Sequence, residues 1–320
     1  MFEMLEAGIG LDIILWFQDN RTGWMEILSQ ILDQLGGEVG YIAIFGLIYW
    51  VINKRQGLHL ILALFMIALV TFILKDSLMR PRPFVAFPDL VTPVFEASGF
   101  GLPSGHTSFA VMIWGYIALW VRKWWMWVFA IFYIILQATG RMVAGVHFPQ
   151  DIVLGLLIGI ITLALYYPIS ARWEDFWHHQ SVRVQLAIAL VIPLLIAGIV
   201  MSLSLSVEQI EAYLTMVGLV IGAGIGNAIE SHWVRFTPHP KLSQRLALFF
   251  LGAVSVLIVL LGLSPLFDAI AETGTLAYLL RIIRYSLAGV IAIAIVPYIG
   301  IQLNIAQSLA AEKLSPANAL

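Results

Sequence analysis

The chain has 320 residues, 61% of them hydrophobic and only 11% charged, with a mean hydropathy of +0.93. About a quarter of the residues of a soluble domain are charged, so the composition excludes an ordinary water-soluble globule. A net charge of −2 without any basic tract argues against a nucleic-acid partner, and zero cysteines remove disulfides, thiolate metal sites and a cysteine nucleophile.

Residues 1–35 mix apolar and polar positions around Asp19-Asn20-Arg21 and predict amphipathic helices lying in the membrane interface. Glu3 and Glu6 come where a secretory signal would carry basic residues. A hydrocarbon core about 30 Å thick needs roughly 20 apolar residues per helix. Val39–Ile52, Leu58–Leu74, Phe109–Val121, Trp124–Ala138 and Ile152–Tyr167 approach that length once their flanks are added, and set a core over residues 36–169. Val184–Leu203, Tyr213–Ala228, Leu246–Leu263 and Ser286–Ile301 follow as additional helices over 170–304, before a cytoplasmic tail at 305–320. The expectation is an all-α polytopic membrane bundle of about nine spans. Gly218, Gly222, Gly224 and Gly226 thin one span for close packing. His59 reads as a polar residue at a helix end, and Arg281 and Arg284 as side chains reaching for the interface.

Nine spans place Lys54, Arg55, Arg122, Lys123, Arg172, Arg183, Arg235, Lys241, Arg245 and Lys313 on one side. Basic loops stay cytoplasmic. The other side, which holds Lys75, Arg82 and Arg141, then faces the periplasm or its equivalent, across the plasma (inner) membrane.

That side also collects the chemistry. Lys75 and Arg141 end two spans, while Ser104-Gly105-His106 and Pro149-Gln150-Asp151 begin two others. Cleaving a phosphate ester requires the phosphoryl charge to be held, a nucleophile in line and a proton for the leaving oxygen. Lys75, Arg82 and Arg141 offer the charge, and two helix N-termini aimed at one point favour an anion. Proline suits a first helical turn, so His147 sits just outside a helix whose first turn holds Asp151. Spacing leaves open whether His106 or His147 attacks. The loop from Asp76 to Pro103 carries Phe84, Phe87, Phe95 and Phe100 and reads as an interfacial piece.

Lys75 followed by Arg82-Pro83, then Pro103-Ser104-Gly105-His106, then Arg141 with His147 and Asp151, resembles the three-part signature of the type-two phosphatidic acid phosphatase superfamily. The similarity covers roughly 52–167, and the span arrangement is similar to that of the glucose phosphatase branch. The resemblance implies a metal-independent, cofactor-free hydrolase of lipid phosphates or pyrophosphates. His147 would attack phosphorus and form a phosphohistidine, Asp151 would orient it, and His106 would protonate the leaving oxygen and then activate water. Lys75, Arg82, Ser104, Gly105 and Arg141 would hold the phosphoryl oxygens. The family has serine where this chain has Gly140, and Gly140→Ser is expected to be tolerated. The implied partners are a membrane lipid substrate and the bilayer; oligomeric state is not readable.

Three other readings belong beside this one. A lipid phosphotransferase would use the same intermediate and a second lipid as acceptor. A transporter would place charges in mid-span, whereas here they cluster at span ends. Zinc binding by His106, His147 and Asp151 is opposed by the neighbouring cations.

Overall fold

The computed structural model describes residues 6–202 and 207–308; Glu3, Lys313 and most of the expected tail lie outside the described residues. The chain is helical almost throughout and divides into two compact units, one formed by 1–41, 63–171 and 205–209, the other by 42–62, 172–204 and 210–320. In chain order the helices are α1 (Leu11–Asn20), α2 (Gly23–Leu35), α3 (Glu38–Gly46, continued as a π turn Leu47–Ile52), α4 (Lys54–Leu78) and the short α5 (Pro83–Ala86). Then come α6 (Gly105–Val121), α7 (Trp124–Val143), α8 (Pro149–His178), α9 (Val182–Met201), α10 (Val207–Ile229), α11 (Leu242–Ile270), α12 (Thr275–Val290) and α13 (Val296–Gln302).

Among the described residues, each run expected to span lies in helix over nearly its whole length. Among the described residues seven helices are long and apolar enough to cross a membrane, or up to eight if the bent pair Gly23–Leu35 and Gly40–Ile52 is one span. The expected nine therefore includes two short members: α6, with 17 residues, and the 38–52 segment. The all-α expectation is modified by one ribbon, β1 (Phe236–Pro238) paired antiparallel with β2 (Ala306–Ser308), Phe236 opposite Ser308. Residues 306–308 are thus part of a sheet and not of a tail.

In the first unit, α1 and α2 are two short helices, as expected for 1–35. Each packs against α7 while leaving Trp16, Trp24 and Ile27 exposed. Leu11 and Ile14 of α1 are buried with Val91 and Phe148, and Phe84 and Phe87 pack against that cluster. Two of the loop aromatics expected at the interface therefore point inward. Glycines let α8 lie tightly on α6: a Cβ at Gly155 would sit 2.7 Å from the Ser104 carbonyl, and one at Gly159 2.7 Å from Val111 Cβ. This close crossing carries the start of α6 to the start of α8.

In the second unit, Tyr49 and Trp50 are fully buried among residues of α10, α11 and the 291–296 stretch. A π turn at Ile291–Ile295 shifts the helical hydrogen bonding there. The carbonyls of Ile293 and Ala292 accept from Tyr49 Oη and Trp50 Nε1, both at 2.9 Å. Gly218, Gly222 and Gly226 bring α10 onto the 282–293 stretch, where any Cβ at Gly222 would collide with the Ser286 carbonyl. His59 lies near the start of α4, as expected, and is buried, 3.1 Å from Glu174. Arg281 pairs with Glu211 at 2.6 Å and Arg284 is 9% exposed beside Tyr285, so neither simply reaches for the interface.

Candidate active site

The first unit gathers the chemical residues at the end of α4, the starts of α6 and α8, and the end of α7. Lys75, Arg82, Ser104, Arg141, His147 and Asp151 are all buried, none more than 7% exposed. So many ionisable groups away from water need partners, because unpaired buried charge is strongly unfavourable.

Asp151 occupies the third position of α8, and its Oδ2 accepts the backbone N–H of Phe148 at 2.9 Å. This is the reach-back half of a capping box, in which an acid in the first turn satisfies an otherwise orphaned donor. The same oxygen lies 3.2 Å from His147 Nδ1. On the opposite edge of the ring, Nε2 lies 3.2 Å from Arg82 Nη1. A guanidinium can only donate, so Nε2 accepts, and the ring proton rests on Nδ1, facing the carboxylate. The lone pair that a nucleophile needs is thus directed at the cations. Burial, and after it Arg82, Lys75, Arg141 and His106, hold the His147 pKa well below the ordinary imidazole value.

The loops before α6 and α8 supply main-chain acceptors. Arg82 donates from Nε to the Gly99 carbonyl at 2.9 Å, from Nη2 to Ser98 at 2.6 Å, and from Nη1 to Val146 at 3.1 Å. Lys75 Nζ donates to the Phe100 carbonyl. Phe95 lies beneath Arg141, with the guanidinium carbon 5.1 Å from the ring centroid. The 87–103 segment therefore braces the cations, a role that side-chain reading of a phenylalanine-rich loop did not indicate.

Ser104 precedes α6, and its N–H donates to the Asp151 carbonyl at 2.9 Å, tying the two helix starts together. Its hydroxyl lies 3.0 Å from Thr107 Oγ1 and is fully buried. Space around Gly105 is ample; a Cβ there would meet nothing closer than 3.8 Å.

One residue of the site lay outside the sequence reading. Asp33, in the last turn of α2, places Oδ1 2.5 Å from Arg141 Nη1 and 3.4 Å from His106 Nε2, and its carbonyl is 3.3 Å from the same nitrogen. Gln137 Nε2 donates to the Leu32 carbonyl at 3.1 Å. Gly140 lets α2 lie close: a Cβ there would stand 3.0 Å from Leu32 Cδ1. A serine at position 140 therefore requires Leu32 Cδ1 to give by a few tenths of an ångström, which makes the tolerance expected of Gly140→Ser depend on how freely that side chain can move.

An anion-holding set of three cations, a neutral histidine backed by a carboxylate and a second histidine can carry out phosphoryl transfer. Residues 56–175 match the family described as "PAP2 superfamily", and residues 214–308 match "PAP2 superfamily phosphatase, transmembrane extension". The chain thus carries a PAP2 superfamily domain followed by a PAP2 transmembrane extension. It is 26% identical over 181 residues to "Lipid phosphate phosphatase delta" of Arabidopsis thaliana, covering 52% of this chain and 44% of the relative. It is 25% identical over 210 residues to "Sphingosine-1-phosphate phosphatase 1" of Mus musculus, covering 62% and 46%. An "Undecaprenyl-diphosphatase" of Sulfolobus acidocaldarius is 28% identical over 160 residues, covering 48% and 76%. The chain spans under half the length of the first two relatives.

Proposed function

We propose that this protein is a membrane phosphatase that removes the terminal phosphate from a lipid phosphate or pyrophosphate. The observation that carries the reading is the polarity of His147: Nδ1–H faces Asp151 and the Nε2 lone pair faces Arg82. The phosphoryl group enters among Lys75, Arg82 and Arg141, with Ser104 and the Gly105 amide as further donors. His147 Nε2 attacks phosphorus while the bond to the lipid oxygen breaks, and His106 passes its proton to that leaving oxygen. Water then attacks the phosphohistidine, His106 takes up the water proton, and inorganic phosphate departs. Asp151 keeps the ring in its attacking tautomer and stabilises the positive charge it acquires.

The substrate class is an amphiphile with a terminal phosphate, the feature common to the substrates named for the relatives. Residues 36–169 form the phosphatase core in this reading, and 170–304 are additional membrane helices. The excess of basic residues on the other loops supports a site on the extracytoplasmic face of the plasma (inner) membrane. Purified protein in detergent, with EDTA present, is expected to release phosphate from at least one of phosphatidic acid, phosphatidylglycerol phosphate, sphingosine 1-phosphate and undecaprenyl pyrophosphate. His147→Ala is expected to release none; equal turnover by that variant refutes the assignment. For sidedness, the cysteine-free chain permits single substitutions Asp89→Cys and Arg235→Cys. An impermeant maleimide added to intact cells should label only the first.

A further inference from the structure

Helix physics does not favour an acid where Asp33 stands. The C-terminal end of a helix carries partial negative charge, which disfavours a carboxylate in the last turn. The compensation is Arg141, 3% exposed, which engages Asp33 through Nη1. Among the described residues the buried Nε of Arg141 has no hydrogen-bond partner. The arginine fork is therefore half occupied, by an oxygen anion belonging to the protein.

The placement is held by specific packing. Any Cβ at Gly36 would collide with Gln137 Nε2 and sit 2.7 Å from His106 Cδ2, so only glycine lets the end of α2 approach the histidine this closely. The side chain of Gln137 and the missing side chain of Gly140 fix the preceding turn against α7. Yet the Asp33 side chain is 27% exposed, unlike the buried cations beneath it, so it has a way out toward water.

We propose that Asp33 is a resident counter-anion that exchanges with the substrate phosphoryl group at Arg141. In the empty site its carboxylate neutralises the guanidinium. An arriving phosphoryl oxygen takes Arg141, and Asp33 turns to His106 Nε2, already 3.4 Å away, where it retains the proton destined for the leaving lipid oxygen. When inorganic phosphate is the product, Asp33 reclaims Arg141 and promotes release. Asp33 is thus a positioning residue, acting through His106 and Arg141. This inference rests on the phosphatase reading above for its catalytic half, while its binding half concerns anions alone.

The test compares wild type, Asp33→Asn and Asp33→Glu as full-length protein in detergent, measuring turnover and the inhibition constant for inorganic phosphate. Removing the competing charge should tighten phosphate about tenfold and lower kcat at least tenfold, with KM falling too, as expected when one charge-assisted contact changes. Glu should restore both in part. A merely structural role predicts weaker phosphate binding and higher KM, and that pattern, or an unchanged phosphate constant, overturns the proposal. Should neither variant fold, hydrogen exchange on wild type decides: orthovanadate should speed exchange of amides 33–37, whereas slower or unchanged exchange overturns the exchange mechanism. A wild type that binds phosphate but hydrolyses no lipid phosphate defeats the phosphatase reading and leaves the anion exchange to be judged by binding alone.

Discussion

Arg82 Nη1 rests 3.2 Å from His147 Nε2, so the guanidinium touches the nitrogen on which a phosphoryl group would form. The same side chain is anchored by three main-chain carbonyls, those of Ser98, Gly99 and Val146. Its fork shape, and not only its charge, sets the ring that the proposed mechanism makes the nucleophile. Arg82→Lys keeps the charge and loses the fork, and should reduce kcat/KM by about 100-fold. Steady-state kinetics on folded variant protein checks this; a loss under threefold contradicts it.

Asp151 has two duties, to the Phe148 amide and to His147 Nδ1. Asp151→Asn offers an amide that can donate to Nδ1, which moves the ring proton to Nε2 and masks the attacking lone pair. Turnover should fall by about 10³-fold or more, as wrong-tautomer variants of buried Asp–His pairs do. A single-turnover assay with trapping of the phosphoenzyme should show that its formation, and not its hydrolysis, is slowed.

The depressed pKa of His147 fixes the sign of the acid response. Burial first, and then Arg82, Lys75, Arg141 and His106, disfavour the imidazolium. The ring stays neutral and competent as pH falls through its ordinary value of about 6.5. The acid limb of kcat/KM that belongs to the enzyme should therefore lie below about 6.5, once the ionisation of the substrate phosphate is measured separately. An enzyme limb at or above that pH is the contrary result. Stability follows the same linkage: the unfolded chain protonates first, so the contribution is complete above the unfolded pKa and lost as pH falls toward the folded one.

Gly140 tests the packing of α2. A serine Cβ must displace Leu32 Cδ1 from 3.0 Å by a few tenths of an ångström, and the hydroxyl asks for more room. Gly140→Ser should destabilise the folded protein by about 1–3 kcal/mol, the range for overfilled cores. Adding Leu32→Ala should recover part of that loss, a coupling visible in a double-mutant cycle of thermal unfolding. Strict additivity would show that the contact is not felt.

In the second unit Glu230 is 1% exposed and accepts from both Lys54 Nζ and the Phe236 amide at 2.7 Å. Glu230→Ala leaves a buried amide and a half-buried ammonium without their acceptor. It should cost about 3 kcal/mol or more. Since Glu230 is remote in sequence from the catalytic set, the folded fraction should retain the wild-type KM.

Much of the site could be read from spacing because its determinants are local. Pro149 and Asp151 announce a helix start, and the acid in the third position is fixed by the backbone of its own first turn. Lys75 and Arg141 are cations at the ends of apolar runs, which bounds where they can lie. Asp33 was not legible, since nothing in its neighbourhood distinguishes it from a polar position on an amphipathic helix; its partners are more than 70 residues away. The carbonyls of residues 98–100 have no side-chain signature at all. The π turn at 291–295 is equally silent, because the groups that use its freed carbonyls, Tyr49 and Trp50, lie more than 240 residues upstream. The number of spans is bounded less tightly than their positions, because α6 is 17 residues long, at the short end for a crossing, although its composition is that of a spanning helix.

Because residues 98–100 hold Lys75 and Arg82 through peptide oxygens, their part of the grip is indifferent to which side chains that segment carries. Only Gly99, with φ at +66°, is constrained by backbone shape. Ser98 and Phe100 are thus open to replacement while the anion-holding geometry persists. Lineages could diversify what approaches the candidate site by redrafting this rim, leaving the cluster of cations beneath it intact.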